Sequence, residues 1–367
     1  MSAPKLFSPG PVLVKANVRN ALLHYDICHR SKEFEEMFVD TQNRIIKLFN
    51  ADDSYYAVIV SGSGTSANET VLSSVVKDGE SVMLLRNGLF GERLQEILDK
   101  YKIPYVDISF PWATAFDEKV IEDQMKAHPE AKVVAMVFHE TSTGMINKVY
   151  EVGQLCKKYG RKLFTDTVSA AAGQNIDVIK NNISFATSVG GKCLGAFPGS
   201  AYVIAKRDEL EQLTGAQCKN VYLNLYKHYV SARDTHQTPN TPNVNLFWAL
   251  QQALANIEDE GGLQKRIERY QECAAIIRKG LKDMGLRLLL DEKKDNMSNT
   301  VTSVFLPVDA KVFLKEMEER GYTFYIGKAD YAKQNMIQVA NMGEIYPRDC
   351  RNMLRVFKEC LETVKNM

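Results

Sequence analysis

The stretch 188–199 reads SVGGKCLGAFPG and places a single lysine, Lys192, in a loop rich in glycine. It runs directly into an apolar segment at 201–205 that is typical of a buried strand. A lysine between glycines can project into a cleft, and nearby positive charge lowers the pKa of its amine, which suits Schiff-base chemistry. Taken alone, a lysine in such a loop is more often a solvated surface residue.

An aspartate ends an apolar strand that comes earlier in the chain. The stretch 163–169 reads LFTDTVS, so Asp166 stands at the carboxyl end of that strand. A carboxylate in this position can hold a ring nitrogen protonated, which makes the ring an electron sink. The alternative is an aspartate that caps a helix or closes a loop, and by itself that alternative is the simpler one.

A glycine-rich turn comes earlier still, where 61–69 reads SGSGTSANE after an apolar run at 56–60 and before a helix. Glycine lets a ligand approach the backbone, and the free N–H groups at a helix start favour a phosphate. The turn lacks the Gly-Lys-Ser/Thr of a nucleotide P-loop and the full dinucleotide fingerprint. The alternative is a tight turn capped by Ser63 or Thr65.

Short β-rich runs alternate with helical patterns from about residue 55 to 205. The apolar runs lie at 56–60, 81–85, 105–108, 132–138, 162–165 and 201–205. Such alternation predicts an α/β fold with a mostly parallel central sheet and helices on both faces. Ligands of such sheets bind beyond the carboxyl ends of the strands, which is where the three segments above would lie.

The pattern changes after about residue 243, where two long helices at 244–257 and 262–284 precede short strands and further helices. This is the pattern of a small α+β domain at the C-terminus. We therefore expect an N-terminal segment, 1–15, that packs with the small domain, a large cofactor-binding domain at 16–245, and the small domain at 246–367.

The composition excludes several function classes. Lys and Arg (46) nearly balance Asp and Glu (45), so no overall field attracts the chain to nucleic acid or an anionic membrane. The 7 cysteines include no CxxC pair, which argues against a zinc site or a disulfide framework. The sequence shows no signal peptide and no apolar run of the roughly 20 residues that span a bilayer. A soluble cytoplasmic protein without a bound metal is expected.

The order of the three segments is that of the fold-type I enzymes that use pyridoxal 5'-phosphate (PLP). The chain resembles the class V aminotransferases over nearly its whole length, and within them it is most similar to the 2-aminoethylphosphonate transaminases. The matching stretches are SPGP at 8–11, GSGT at 62–65, NGLFGER at 87–93, HETSTG at 139–144, GKC at 191–193 and the Pro198-Gly199 pair.

The resemblance implies catalytic roles for two residues. Lys192 would be the Schiff-base lysine and the general base of the proton shift, and Asp166 would pair with the pyridinium nitrogen. The further cofactor-binding residues it implies are Ser63, Gly64 and Thr65 at the phosphate, Phe90 and Val168 on the two faces of the ring, and Thr141 beside the ring hydroxyl. Taken one at a time, Phe90 is equally a core residue and Thr141 a strand-end cap.

The resemblance also implies a homodimer. Thr241, in the stretch QTPNTP at 237–242, matches a phosphate ligand that relatives supply from the neighbouring subunit. The active sites would then lie at the subunit interface and be shared between the two chains.

A stretch near the N-terminus carries the candidates for binding the substrate. The stretch 25–34 reads YDICHRSKEF and is similar to a His-Arg pair that binds substrate phosphate in phosphoserine aminotransferases. His29 and Arg30 are therefore candidates to bind a phosphonate or phosphate, with Gly10 also on the substrate side. The 2-aminoethylphosphonate transaminases usually have other residues at the His-Arg positions, and the alternative is a solvated loop charge.

One departure from the family lies in the stretch IQVANMGE at 337–344. Relatives usually have an arginine where Gln338 stands, and that arginine clamps the α-carboxylate of the amino-acid partner. A neutral amide gives roughly 1 kcal/mol where a charged donor gives up to about 3. Either Gln338 binds the carboxylate weakly, or the carboxylate lies elsewhere with Lys328 or Arg30 as ligand, or the substrate lacks one.

These observations predict a PLP-dependent aminotransferase. The expected reaction converts 2-aminoethylphosphonate and pyruvate into phosphonoacetaldehyde and alanine by a ping-pong mechanism. The alternatives are another class V transaminase, of alanine–glyoxylate, serine or phosphoserine type, and a PLP-dependent lyase acting on an amino-phosphonate or phosphorylated amine. A regulatory protein on the same fold is disfavoured because the lysine and the aspartate are both present.

Overall fold

The computed structural model describes residues 4–367 of the chain. A seven-stranded sheet forms the centre of the larger part of the fold. The strands are β1 (Lys5–Leu6), β2 (Tyr55–Gly62), β3 (Ser81–Arg86), β4 (Tyr105–Ser109), β5 (Ala131–Val137), β6 (His139–Glu140), β7 (Met145–Ile146), β8 (Lys162–Asp166), β9 (Phe185–Val189), β10 (Gly199–Lys206), β11 (Arg287–Leu288), β12 (Val301–Phe305), β13 (Tyr322–Thr323), β14 (Tyr325–Ile326) and β15 (Met336–Ala340).

Helices cover the sheet and build the rest of the chain. They are α1 (Ala16–Ala21), α2 (Lys32–Leu48), α3 (Gly64–Val75), α4 (Leu89–Lys100), α5 (Glu118–Ala127), α6 (Val149–Lys158), α7 (Arg207–Glu211), α8 (Leu225–Thr235), α9 (Val244–Asp259), α10 (Leu263–Asp283), α11 (Ala310–Glu319), α12 (Asp330–Lys333) and α13 (Pro347–Lys365), with a 3-10 helix at Gly215–Gln217. Within residues 4–367, no helix combines the length and the hydrophobicity needed to cross a membrane.

The large sheet runs in the order β2-β10-β9-β8-β5-β3-β4. All neighbouring strands pair in parallel except β10, which is antiparallel to both β2 and β9. The inner strands are buried along almost their whole length, as expected for a sheet covered by helices on both faces. The expected α/β fold with a mostly parallel central sheet is confirmed.

All six strands predicted between residues 56 and 205 are present in the large sheet, and the structure adds β9 to that sheet, which the sequence patterns did not predict. This strand reads FATSV and lies between β8 and β10, with all five residues buried. Its Thr and Ser interrupt the apolar run that would have marked it as a strand. The strand matters for function because the loop that carries Lys192 follows it directly.

The C-terminal part of the chain forms a second sheet, in the order β11-β12-β15-β14, with every pair antiparallel. Its helices α10, α11 and α13 enclose a separate apolar cluster that includes Phe313, Met353 and Phe357. The N-terminal segment joins this part. β1 pairs in parallel with β13, and Phe7 is fully buried in the same cluster.

The connections put the chemical residues at one edge of the large sheet. Asp166 is the last residue of β8, the glycine turn follows β2, and the loop with Lys192 joins β9 to β10. The carboxyl ends of parallel strands meet at a single edge, so these three segments converge. The segment at Pro9 and Gly10 reaches the same place between β1 and α1.

Candidate active site

A cavity of about 230 Å³ lies at this edge of the sheet. Segments far apart in the chain line it: the turn after β2, the start of α4, the end of β8 and the loop before β10. The predicted residues in its wall are Gly10, Ser63, Gly64, Thr65, Phe90, Asp166, Val168 and Lys192. The three segments singled out in the sequence therefore form one pocket.

Lys192 projects into this pocket beside the N-terminal segment. Its Nζ donates a hydrogen bond to the carbonyl of Pro9, and a Cβ on Gly10 would lie 2.6 Å from that Nζ. Burial lowers the pKa of the Lys192 amine; the nearby Cys193 and Asp166 oppose this, whereas the positive charges of Arg93 and Lys328 add to it. The amine therefore loses its proton at a lower pH than an ordinary lysine, which makes it a better nucleophile and base.

Asp166 lies at the base of the pocket. Its carboxylate accepts hydrogen bonds from Asn68 Nδ2 at 2.6 Å and from the Val168 amide at 2.9 Å. Burial raises the pKa of Asp166, and these two hydrogen bonds oppose the rise by favouring the charged form. The side chain of Asn68 is itself fixed, since its Oδ1 accepts a hydrogen bond from Thr187 at 2.5 Å.

The sequence patterns did not single out Asn68. The residue lies on α3, one helical turn after Gly64, and faces the pocket because residues four apart share one face of a helix. Its position directly after the glycine turn was the available signal. Asn68 keeps the Asp166 carboxylate oriented, so it belongs to the same functional unit.

The start of α3 provides an anion cradle. Ser63 is the N-cap residue, and the amides of Gly64 and Thr65 have no hydrogen-bond acceptor within residues 4–367. Free amides at a helix start favour a phosphate group. A Cβ on Gly64 would lie 2.5 Å from the Val168 side chain, so the close packing of the turn against Val168 requires glycine.

Phe90 stands at the first turn of α4, and a buried carboxylate holds that turn in place. Glu140 accepts hydrogen bonds from the amides of Phe90 and Gly91 and from both the amide and the hydroxyl of Ser142. Burial raises the pKa of Glu140 to about 7, and these four donors act against the rise. Glu140 was part of a matching stretch in the sequence, but no role was assigned to it.

Five of the predicted site residues, and the alternative carboxylate ligand Lys328, lie outside the pocket wall of this chain. Thr141 is buried, and its carbonyl accepts a hydrogen bond from Gln338 Nε2 at 2.5 Å. Arg30 donates to Gln237 Oε1 and to the carbonyls of Thr238 and Pro239. Besides Thr141, Gln338 and Arg30, the predicted site residues outside the wall are His29, whose ring packs against Phe34, and the exposed Thr241.

The arrangement fits PLP. An enclosed lysine amine faces a buried carboxylate across a cavity, and two amides without acceptors lie at the start of a helix beside it. These are the groups needed to bind an aldehyde carbon, a ring nitrogen and a phosphate, in that order. No cluster of three metal-ligating side chains occurs in the described part of the chain.

Comparisons with known proteins agree with this geometry. The family model described as aminotransferase class-V matches residues 14–332. The chain is 30% identical to the 2-aminoethylphosphonate–pyruvate transaminase of Vibrio cholerae serotype O1 over 97% of both proteins. It is also 30% identical to a bifunctional phosphonoacetaldehyde hydrolase/aminoethylphosphonate transaminase of Clostridioides difficile, of whose length it spans 56%.

A solved structure shows the same fold. The alanine–glyoxylate aminotransferase of a Nostoc species superposes with a TM-score of 0.91 and 25% sequence identity. The superposition covers 98% of this chain and 96% of the other. Together with the family match, this confirms the expected fold-type I architecture.

Proposed function

This chain belongs to the class V aminotransferase family, and on that basis we propose that it transfers the amino group of 2-aminoethylphosphonate to pyruvate. The products are phosphonoacetaldehyde and alanine, and the cofactor is PLP. The observation that carries the proposal is the single pocket in which Lys192, Asp166 and the start of α3 meet. Similarity to 2-aminoethylphosphonate transaminases over almost the whole chain supports the substrate.

The described residues would hold the cofactor in the following way. The hydroxyl and amides at Ser63, Gly64 and Thr65 would bind its phosphate, and Asp166 would keep a proton on its ring nitrogen. Phe90 and Val168 would press on the two faces of the ring. When bound, PLP supplies an electron-poor ring that accepts the electron pair left behind when a proton leaves the substrate carbon.

Lys192 performs the proton transfer. Its amine, with a pKa lowered by burial and by neighbouring positive charge, takes the proton from the substrate carbon next to nitrogen. The same amine returns a proton in the reverse direction when the 2-oxo acid is the substrate. The hydrogen bonds from Asn68 and the Val168 amide orient the Asp166 carboxylate and favour its charged form against the effect of burial.

A panel of amines tests the proposal. The holoenzyme is mixed with 2-aminoethylphosphonate, alanine, serine and phosphoserine, and conversion of the cofactor to its amine form is followed by absorbance. We expect rapid conversion by 2-aminoethylphosphonate and by alanine, which are the two amines of the proposed cycle. Conversion by phosphoserine but not by 2-aminoethylphosphonate would contradict the proposal. Ammonia release without an oxo acid would indicate a lyase instead.

We further propose that two copies of the chain form a dimer with shared active sites. Thr241 would contact the cofactor phosphate in the site of the other subunit. Its side chain is exposed in the isolated chain, and Arg30 fixes the loop that carries it with hydrogen bonds to Gln237, Thr238 and Pro239. Thr241 is therefore exposed on a loop whose backbone is held in place, which suits a contact with another chain.

A cytoplasmic location is proposed on the basis of the cysteines. All seven are free thiols, and five of them are buried. Free thiols persist in a reducing compartment. Fractionation of the host cells checks this, and recovery of the protein with an extracellular or membrane fraction would contradict it.

A further inference from the structure

Two cations from different parts of the chain lower the pKa of the Lys192 amine. Arg93 lies on α4 of the large sheet unit, and Lys328 follows β14 of the small sheet. Neither forms a salt bridge or a side-chain hydrogen bond with any residue in 4–367. The proposed substrates each carry an acidic group, a phosphonate or a carboxylate. The positions of Arg93 and Lys328 therefore indicate where that group can bind.

Arg93 belongs to the cofactor end of the pocket. Its guanidinium lies 4.9 Å from the centroid of the Phe90 ring, on the same helix. It lines the cavity beside Thr65 and lowers the pKa of Asp166 more than Lys192 does. The cofactor phosphate and ring would therefore occupy its surroundings.

Lys328 lies just outside the pocket wall, on the side of the N-terminal segment. Its ammonium is 5.3 Å from the centroid of the Tyr325 ring. The Tyr325 hydroxyl donates at 2.7 Å to the carbonyl of Gly10, a residue of the pocket wall next to the Pro9 carbonyl that holds Lys192. The Tyr325 ring and the backbone at Pro9 and Gly10 thus connect the Lys328 ammonium to the Lys192 amine.

The other polar groups considered for the acid are already engaged. Gln338, which pairs with Tyr325 in the sheet, is 1% exposed and donates through its Nε2 to the Thr141 carbonyl. Arg30 donates to three acceptors on the loop at 237–239. Both side chains lie outside the pocket wall and are held by these hydrogen bonds, whereas the Lys328 ammonium has no hydrogen-bond or salt-bridge partner within residues 4–367.

The backbone around Lys328 is held in an unusual conformation. Ala329 has φ 47° and ψ −133°, which residues other than glycine rarely adopt. Tyr331, two residues on, contacts Trp112 of the large sheet unit with 6.2 Å between ring centroids, and Trp112 donates to Glu92 at 2.8 Å. These contacts hold the segment that carries Lys328 against the large sheet unit.

We propose that Lys328 binds the acidic head group of both substrates, the phosphonate of the donor and the carboxylate of the 2-oxo acid, in turn. This inference rests on the proposed function. A ping-pong enzyme uses one pocket for both half-reactions, so one cation must accept two oxyanions of different shape. A lysine is suited to this because its flexible stem carries a point charge with three donors.

The test uses the holoenzyme and the variants Lys328→Gln and Lys328→Arg. Binding of two unreactive acids, ethylphosphonate and propionate, is measured from their effect on the cofactor absorbance, together with KM for both true substrates. We expect Lys328→Gln to weaken binding of both acids and to raise both KM values about tenfold or more, because a charged donor is lost. Lys328→Arg keeps most of the affinity.

Lys333→Gln is the matched control, since this nearby exposed lysine already pairs with Asp330 at 2.7 Å. It should leave both affinities unchanged. An effect of Lys328→Gln on only one of the two acids, or on neither, would overturn the proposal. An equal loss in the control would assign the effect to general surface charge and would overturn it as well.

A second measurement, the pH at which the lysine-bound cofactor titrates, reports on the charge of Lys328. The positive charge of Lys328 contributes to the lowered pKa of Lys192. The pH at which the lysine-bound cofactor titrates should therefore rise in Lys328→Gln and stay near the wild-type value in Lys328→Arg; an unchanged value in Lys328→Gln would overturn the proposal. Failure of the proposed function is distinct, because wild-type enzyme would then not be converted by 2-aminoethylphosphonate at all.

Discussion

Residue 64 has room for a hydrogen atom and nothing larger. A Cβ there would lie 2.5 Å from Val168, so the start of α3 and the residue expected on one face of the cofactor ring depend on the same glycine. Overpacking of this kind costs ~1–3 kcal/mol. The Gly-x-Gly motif alone predicted the turn, but the contact with Val168 joins segments far apart in the chain and could not be read from the motif.

Gly64→Ala should therefore weaken cofactor binding. The inserted methyl group displaces either the free amides or Val168, and we expect about 10- to 100-fold weaker binding, which corresponds to the cost of overpacking. Titration of the apoenzyme with PLP measures this. Gly215→Ala is the control, because the nearest atom to its Cβ lies 3.5 Å away, an ordinary contact. Equal affinities for both variants and wild type would show that the turn does not hold the cofactor.

Lys192 leads to a prediction about pH. Burial, with help from Arg93 and Lys328, lowers the pKa of its amine, so the reactive neutral form persists to lower pH than for an ordinary lysine. The rate at which the apoenzyme captures PLP should level off at a lower pH than the rate for a free lysine side chain. Stopped-flow absorbance over a pH series checks this. A profile that matches the free amine would mean that Lys192 is solvated.

Helix α4 depends on a carboxylate from another element. Glu140 lies on β6, and its carboxylate accepts hydrogen bonds from the amides of Phe90 and Gly91 at the start of α4. A negative charge is favourable at the start of a helix. The stretch HETSTG matched the family pattern, but neither propensity nor periodicity showed that its glutamate would reach across to another helix. Long-range hydrogen bonds of this kind depend on how the elements pack.

Glu140→Ala should destabilise the protein by about 2–3 kcal/mol, because it leaves buried donors without an acceptor. Urea denaturation of the apoenzyme measures the change in unfolding free energy. Glu96→Ala on the exposed side of the same helix is the control and should change it by less than about 0.5 kcal/mol. If the two variants were equally stable, Glu140 would not be what holds the start of α4.

At the level of strands and helices, the sequence patterns were informative wherever one period dominated. The predicted helices at 244–257 and 262–284 match α9 and α10, and the predicted strand at 81–85 matches β3. The prediction failed at β9, whose buried Thr and Ser carry no apolar pattern. Position 338 shows a second limit: the sequence left open whether Gln338 binds the substrate carboxylate, and only the packed structure shows that its amide donates to the Thr141 carbonyl.

For the whole molecule, the central question is how many chains build one active site. The isolated chain brings together Lys192, Asp166 and the glycine turn, but leaves Thr241 exposed and outside the pocket wall. The order of motifs predicted the pocket, because the topology of the sheet dictates which strand ends meet. It could not predict which residues belong to a second subunit, and that assignment stays a proposal.

Mixing two inactive variants tests the shared site. In a heterodimer of Lys192→Ala and Thr241→Asp, one site has both mutations and the other has neither. Random exchange should therefore restore about a quarter of wild-type activity, since half of the dimers are mixed and each has one intact site of two. Absence of recovery in a sample shown to contain mixed dimers would contradict a site shared through Thr241.

The central claim is that Lys192 carries the cofactor and passes an amine from 2-aminoethylphosphonate. Borohydride reduction fixes a lysine-bound cofactor covalently, and mass spectrometry of the digested protein identifies the lysine. We predict a label on the peptide containing Lys192, and loss of that label when 2-aminoethylphosphonate is added before reduction. A label on another lysine, or a label at Lys192 that 2-aminoethylphosphonate leaves in place while phosphoserine removes it, would contradict the account.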